Sequence, residues 1–400
     1  MIEIEARRVT SPSWVATVNL ANAIIGAGIL SLPFAFRSTG LITGILYQAA
    51  FCAVCIYSVR ILLISLRFAP VNSFEDLAFH ALGPFGWYLF NLCALSGGFG
   101  SCVGYMIVVG DIVEPLLIEF GMPIDRSTIL AVATIVVMFP LSAPPDFSSL
   151  RYASAVALAI YVAFSACLVV LALQGHVQPL EPPAALFKSD VSGLIRAIPL
   201  AAFAYNCMTT LFPIYQELEN PTIGRMTGVC ATALGASAVL YAAVGASGYY
   251  YFGESVQGDV LLNLASVDSP IVRLLRMAFG LSICFTYPAL HFGARRAFDQ
   301  MVFGSKEGNA PALRLVAESY VFVWLTFVVA LYTTHIEIVL GFIGAAVVTT
   351  LVFILPTAIY LRLSPLPLAA KAPEIALLIT GLVVGVLGVA NVAADAFNGR

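Results

Sequence analysis

The amino-acid sequence predicts an all-α polytopic membrane protein of about eleven transmembrane helices. Apolar residues make up 60% of the 400 positions, and only 10% are charged. The mean hydropathy is +0.95. A soluble domain carries roughly 45–50% apolar and about 25% charged residues, so these few charges could not cover a surface that faces water. Apolar stretches of bilayer-spanning length also recur along the whole chain, as helical spans of about 20 residues require.

Eleven apolar segments follow one another, and short breaks such as Asn220-Pro221 and Ser364-Pro365 separate them. They lie near residues 14–36, 41–66, 87–118, 128–142, 152–174, 193–213, 226–252, 271–293, 315–332, 338–361 and 374–394. We number them spans 1 to 11. We therefore expect one transmembrane domain over 14–394, a short cytoplasmic tail at 1–13 and a short tail at 395–400.

The basic residues predict the orientation. With the N-terminus in the cytosol, 12 of the 19 Lys and Arg lie on the cytosolic side, and the pair Arg295-Arg296 contributes most. Eleven spans then place the C-terminus outside. The net charge is only −3 and no basic block occurs, so nucleic acid is not an expected partner. The four histidines are scattered without metal-site spacing, which argues against an intramembrane enzyme.

Span 1 contains the least helix-like stretch of any span. Residues 19–33 read NLANAIIGAGILSLP, with Gly26 and Gly28 in mid-span and Pro33 after them. Asn19 and Asn22 lie on one helical face just before the glycines. Two interpretations remain open from composition. The glycines could simply bring neighbouring helices together, or the helix could be interrupted where it lines a cavity.

Span 6 contains a second candidate break. Residues 199–213 read PLAAFAYNCMTTLFP, with a proline at each end and a polar, small-residue middle. Pro213 removes a helical hydrogen bond near Thr209. A kink without function is one explanation. The other is a second discontinuous helix, five spans after the first, as in an inverted repeat of five plus five helices whose breaks meet at a midplane site.

Span 8 carries Ser282 and Thr286 four residues apart on one helical face. Their hydroxyls could serve as hard oxygen ligands for sodium. Equally, they could bond back to carbonyls of their own helix, which is the commoner fate of serine and threonine in helices.

These motifs together resemble the amino acid/auxin permease family, which includes the sodium-coupled neutral amino acid transporters and the fungal vacuolar amino acid transporters. The run from Asn19 to Pro33 is similar to the family's N-x-x-N-x-x-x-G-x-G-I-L signature, and Thr39-Gly40 follows as expected. The run 212–218, FPIYQEL, resembles the family's L-P-I-Y-x-E-L motif. The end of span 8, from Thr286-Tyr287-Pro288 to the basic pair, is also similar.

The resemblance implies a leucine-transporter-like 5+5 inverted repeat with discontinuous helices 1 and 6, plus an eleventh helix. It implies alternating access and an amino acid bound at the two breaks. The substrate-binding residues implied are Asn22, Gly26, Ala27, Gly28, Phe203, Ala204, Tyr205 and Asn206. The cation-binding residues expected are Asn22, Ala23, Ser282 and Thr286, of which the resemblance itself implies Asn22 and Thr286. No cofactor or metal is expected beyond a possible coupling Na⁺ or H⁺.

The chain departs from the family pattern in helix 6, where Cys207-Met208 replaces the Cys-His of many members. A proton-sensing role for that histidine is therefore not expected. Loop cysteines that form a disulfide in some plasma-membrane members are also missing.

The expected function is secondary active transport of amino acids, neutral ones first, by a monomer in a vacuolar, lysosomal or plasma membrane. The main alternative is a carrier for a polyamine or another organic cation, which would place an acidic side chain in the cavity. Asp111 and Glu114 of span 3 are expected to be solvated at its outer end instead. The coupling ion stays open: the absence of an obvious buried carboxylate favours Na⁺, whereas short tails favour an internal membrane and H⁺.

Overall fold

The computed structural model describes residues 10–144, 151–175, 184–188, 191–304 and 311–397. Most of the two predicted tails, 1–9 and 398–400, lies outside this part of the chain. The described chain is almost entirely helical. Ser11 pairs with Leu218 in an isolated parallel bridge, which joins the start of span 1 to the end of span 6.

The helices follow the predicted order of eleven spans. Spans 1 to 5 are Ser13–Ile24 with Leu32–Thr39, Leu41–Ser65, the part of Phe74–Glu119 after Gly83, Arg126–Ala133 with Phe139–Ser142, and Arg151–Gln174. Spans 6 to 8 are Val191–Ala204 with Met208–Glu217, Ile223–Phe252 and Pro270–Phe303. Spans 9 to 11 are Ala312–Tyr332, Ile336–Phe342 with Leu355–Leu363, and Ala372–Phe397. Short π-helical segments complete span 4 at Thr134–Met138 and span 10 at Ile343–Val348 and Thr350–Ile354.

Nine helices of the described chain are long and apolar enough to cross a membrane, and the bent span 1 makes a tenth. The shorter apolar helix Arg126–Ser142 corresponds to the remaining predicted segment. We name the two faces of the bundle by the chain. The N face carries Ser13 and the loop 66–73, and the opposite face carries Gly40 and the loop 253–269.

Local sequence explains where several helices begin. The side chains of Ser73, Asp125 and Thr222 each accept a hydrogen bond from a backbone N–H in the first turn of the helix that follows. Pro270 begins span 8, a position where its missing N–H costs nothing. Gly304 ends the same helix in the left-handed conformation.

Among the nine long spans of the described chain, spans 3, 6 and 10 are the most deeply buried. Span 6 meets span 10 so closely that a β-carbon on Gly344 would collide with the carbonyl oxygen of Pro199. Large apolar side chains of the outer spans are exposed, including Leu173 of span 5 and Val386 of span 11. This distribution fits a bundle whose outer surface faces hydrocarbon.

Span 8 is longer than its predicted range of 271–293. The helix continues to Phe303 because the charged side chains of its last turns form hydrogen bonds and ion pairs with span 9. The Arg295 guanidinium donates to the Ser319 hydroxyl at 2.7 Å, and Asp299 forms an ion pair with Arg314 at 2.7 Å. An apolar window ends at the first charges, whereas a helix continues while its side chains find partners.

Candidate functional site between two broken helices

A cavity of about 1300 Å³ opens on the N face and reaches the middle of the bundle. Its deep end is lined by Asn22, Gly26 and Asn206 from the two interrupted spans, together with Tyr105 and Thr286 from spans 3 and 8. Its mouth is lined by residues of the loop 72–76 and by the N-face end of span 8. The cavity therefore connects both helix breaks with one side of the bundle.

The break in span 1 falls at Ile25 and Gly26. Both residues have extended backbone, and the chain resumes as a 3₁₀ segment, Ala27–Ser31, that leads into Leu32–Thr39. The two parts of the span are bent by 52°. The first amides of a helical segment have no partner within it, and here they belong to Ala27 and Gly28, directly after the cavity-lining Gly26. Such groups suit a carboxylate.

The break in span 6 covers Tyr205, Asn206 and Cys207, between Val191–Ala204 and Met208–Glu217. The Asn206 side-chain oxygen accepts a hydrogen bond from the Met208 N–H at 3.4 Å, which caps the second half of the helix. The predicted discontinuity of helices 1 and 6 is confirmed. Sequence composition could not decide between a kink and a break because both use proline and small polar residues.

The two breaks touch each other. A β-carbon on Gly28 would lie 3.0 Å from the Cα atom of Ala204 and 3.1 Å from the Phe203 ring. Glycine at this position therefore allows the backbones of spans 1 and 6 to approach directly. Spans 1 and 6 are packed here through main chain rather than through interleaved side chains.

Tyr241 of span 7 joins the same two breaks by hydrogen bonds. Its hydroxyl lies 2.8 Å from the carbonyl oxygen of Ile24 and 2.9 Å from that of Ala204. These are the carbonyls at the ends of the first halves of spans 1 and 6, which lack helical partners of their own. Tyr241 is fully buried, and its ring packs edge-on against Tyr205 with centroids 5.2 Å apart.

The proposed cation-binding residues lie on facing spans. Asn22 has a buried side-chain oxygen without a hydrogen-bond partner. The Thr286 hydroxyl donates to the Ser282 carbonyl at 3.0 Å, and the Ser282 hydroxyl donates to the Phe279 carbonyl at 2.7 Å. Both hydroxyls thus make the intrahelical bonds that the sequence left possible. Each oxygen keeps lone pairs that can still face a cation.

Tyrosines from spans 3 and 5 complete this wall. The Tyr105 hydroxyl lies against the Ala27 backbone and the Thr286 side chain. The Tyr161 hydroxyl is buried beside the hydroxyls of Ser282 and Thr286. Hydroxyls from spans 3, 5 and 8 therefore lie together at this wall of the cavity.

The structure brings some of the predicted site residues together and buries others. Asn22, Ala23, Gly26, Asn206 and Thr286 line the cavity. The following predicted residues do not line it: Ala27, Gly28, Phe203, Ala204, Tyr205 and Ser282. Most of these are buried directly behind the breaks. Their contact with substrate remains a prediction.

Sequence reasoning missed the three tyrosines at positions 105, 161 and 241. The sequence pattern that could have indicated them is a tyrosine in the middle of a span, because a hydroxyl in hydrocarbon needs a hydrogen-bond partner. That signal does not say which neighbouring span supplies the partner, and here the partners are distant in sequence.

The opposite face is closed above the breaks by charged residues. Arg126 of span 4 forms an ion pair with Asp111 of span 3 at 2.6 Å. Lys188 forms an ion pair with Glu254 at 2.7 Å, and Arg37 donates to the Val256 carbonyl at 2.6 Å. The cavity is therefore accessible from one face and closed from the other.

The prediction that Asp111 is solvated is wrong. Its side chain is 3% exposed because Arg126, at the start of span 4, covers the end of span 3 and neutralises its charge. Glu114, one turn further, remains partly exposed at 3.5 Å from Arg126. The expectation that the chain lacks a buried carboxylate is therefore also wrong. Asp111 is one buried carboxylate, and Asp259 in the loop 253–269 is another.

The sequence of this chain belongs to the family described as transmembrane amino acid transporter protein, whose profile matches residues 10–396. The predicted resemblance to the amino acid/auxin permeases is thereby confirmed.

Two relatives illustrate the similarity. The chain is 26% identical over 372 residues to solute carrier family 38 member 10 of Mus musculus, which covers 88% of this chain and 33% of the relative. It is 26% identical over 401 residues to amino acid transporter AVT6E of Arabidopsis thaliana, covering 93% of this chain and 81% of that protein. The chain thus spans about a third of the length of the mouse relative.

A solved structure shares the fold. It is described as the substrate-bound outward-open state of a Na⁺-coupled sialic acid symporter, with a TM-score of 0.61 and 12% sequence identity. The match covers 96% of this chain and 88% of that one. The predicted leucine-transporter-like fold is confirmed.

Proposed function

We propose that this protein is a secondary active transporter that moves amino acids across a membrane by alternating access, coupled to Na⁺ or H⁺. The observation that carries the proposal is the cavity that ends at two touching helix breaks and opens to one face only. Broken helices meeting at the bilayer midplane are the usual substrate site of this architecture. The names of the relatives supply the substrate class.

Neutral amino acids fit the cavity best. The charged residues among its described lining are Glu75, Asp76 and Arg296, all at the mouth. The deep end offers amides, hydroxyls and backbone groups, which can bind an α-carboxylate and an α-ammonium without a counter-charge for a side chain. An organic cation such as a polyamine would need an acidic group there. Asp111 and Asp259 instead lie toward the closed face.

The orientation of the protein in its membrane follows from its basic residues. The distribution of Lys and Arg supports a cytosolic N-terminus, which makes the N face cytosolic and the observed conformation open to the cytosol. We place the protein as a functional monomer in a vacuolar, lysosomal or plasma membrane. The described lining of the cavity comes from this chain, which supports a monomer as the functional unit.

Transport by the purified protein in liposomes tests the function. Uptake of a panel of labelled amino acids is measured under a Na⁺ gradient, an H⁺ gradient and neither, with a labelled polyamine in a parallel sample. We expect saturable uptake of neutral amino acids that one of the gradients accelerates. Uptake of the polyamine alone, or of no amino acid under any gradient, would contradict the proposal.

A further inference from the structure

A short lid closes the opposite face above the break of span 1. The helix Val260–Leu264 follows span 7 and packs against the 3₁₀ segment Ala27–Ser31 and against spans 3 and 8. Val260 and Leu261 are fully buried there. The Asn263 side chain holds the loop in shape by accepting from the Gln257 N–H at 2.8 Å and donating to the Ser255 carbonyl at 2.9 Å. Access from the opposite face requires this lid to move.

Asp259 begins the lid helix and is 1% exposed. One of its carboxylate oxygens accepts a hydrogen bond from the Leu261 N–H at 2.8 Å. The other oxygen is buried without a partner, as is one oxygen of Asp111. Each buried aspartate thus keeps one oxygen with nothing bound to it. A carboxylate in this state is strongly disfavoured unless a cation or a proton joins it.

The charges around Asp259 come from four spans. Asp111 of span 3 and Glu337 of span 10 are acidic, and Arg276 of span 8 is basic. Arg126 of span 4 is committed to Asp111 and Glu114, and it also donates to the Ile107 carbonyl. The Arg276 guanidinium donates one hydrogen bond to the Asp111 carbonyl at 3.5 Å, and its Nε is buried without a partner. The acidic groups that act on Arg276 are Asp259 first and Glu119 second.

Glu337 approaches the lid itself. A β-carbon on Gly258 would collide with its carboxylate, and His335 lies 3.2 Å from the other carboxylate oxygen. Within the described chain, Arg126 is therefore engaged by Asp111, whereas Arg276 acts on Asp259 through space without a hydrogen bond to its carboxylate. Burial raises the pKa of the Asp259 carboxyl well above its ordinary value of 3.8, and the like charge of Asp111 adds to this. The Leu261 N–H and Arg276 oppose the rise.

We propose that Asp259 is a proton-binding site, occupied when the lid is closed and emptied when the lid opens to water on the opposite face. The ligand is H⁺, which converts the partnerless oxygen into a hydroxyl and removes the buried charge. When the lid opens, the O–H bond of the Asp259 carboxyl breaks and the proton passes to water on the opposite face. The proposal rests on the proposed function only for its consequence in transport.

The sign of the pH dependence follows from linkage. When Asp259 is exposed, its pKa lies near the ordinary value of 3.8, whereas burial raises the pKa so that the carboxyl holds its proton to higher pH. Closure is therefore favoured at low pH. The preference for the closed lid weakens as pH rises from about 4 through the raised pKa of the buried carboxyl. Protonation of Asp259 from the opposite face therefore drives the lid shut.

Hydrogen exchange of the lid amides tests this site without any transport assay. The full protein is measured in liposomes or nanodiscs from pH 4.5 to 8, and the protection of residues 260–264 is corrected for intrinsic exchange at each pH. We expect protection of the wild type to fall by about tenfold per pH unit within the linkage window. Asp259→Asn, which is neutral at every pH, should keep the acid-level protection throughout.

Asp268→Asn is the matched control, because Asp268 lies in the same loop with a side chain that is 99% exposed. It should behave like the wild type. If Asp259→Asn does not give monodisperse protein, Arg276→Gln takes its place and should move the transition to higher pH. Lid protection that is independent of pH in the wild type, or unchanged pH dependence in Asp259→Asn, would overturn the proton site. Either result leaves the transport proposal intact, which the liposome uptake assay decides.

Discussion

Residues at the cavity end differ in whether their polar atoms already have a hydrogen-bond partner. Asn22 keeps a buried side-chain oxygen without a partner, whereas the Thr286 hydroxyl is already a donor within its helix. An unpaired buried acceptor or hydroxyl is the stronger sign of a ligand, because folding alone would not leave it unsatisfied. The candidate cation site therefore rests on Asn22 first and on Thr286 second.

Thr286→Ala tests the cation assignment. If Thr286 binds sodium, loss of its oxygen should reduce the Na⁺-stimulated part of uptake by about tenfold or more, since a hydrogen bond or ligand to a charge contributes about 1.5–3 kcal/mol. Uptake under an H⁺ gradient should change little. Initial uptake rates at varied Na⁺ measure this.

Thr232→Ala supplies the control, because the Thr232 hydroxyl, at an exposed position of span 7, donates the same kind of bond to the carbonyl four residues back at 2.9 Å. Sodium-driven uptake that is equal in Thr286→Ala and wild type would show that the assignment to this residue is wrong.

The two interrupted spans act as one element because Tyr241 and Gly28 connect them. The Tyr241 hydroxyl reaches the carbonyls of both breaks, and Gly28 allows the backbones to touch. We therefore expect movement of one break to be transmitted to the other through span 7. The lid helix adds a third part on the opposite face, directly above the 3₁₀ segment of span 1.

Tyr241→Phe removes one hydroxyl from this connection. A typical buried hydrogen bond contributes about 1 kcal/mol, and a factor of about five in an equilibrium follows from it. We expect KM for the amino acid to rise about fivefold, with a smaller effect on kcat, because the breaks lose their relative position rather than a group that touches the substrate.

Tyr332→Phe is the matched control, since that side chain is 87% exposed on span 9. Uptake measured across substrate concentrations separates KM from kcat. A Tyr241→Phe protein with wild-type KM would show that the hydroxyl only supports folding.

At the scale of the whole molecule, the hydropathy pattern predicted the span order because each span must bury about 20 apolar residues. It could not predict the lid helix, whose five residues carry no such signal. It also misjudged Asp111, because an acidic residue near a span end looks solvated until the packing of span 4 places Arg126 beside it. The breaks were visible as glycine, proline and asparagine, but their contact depends on residues 176 positions apart.

The central claim is that substrate binds where the two breaks meet, and Gly28→Val tests it most directly. A valine there would place atoms into the Ala204 backbone, since even a β-carbon comes within 3.0 Å. The control is Gly235→Val on span 7, where a β-carbon meets no atom within 4 Å. Binding of a labelled neutral amino acid is measured on monodisperse protein. We predict that Gly28→Val lowers affinity by tenfold or more while Gly235→Val binds like the wild type. Wild-type affinity in Gly28→Val would contradict a substrate site at the breaks.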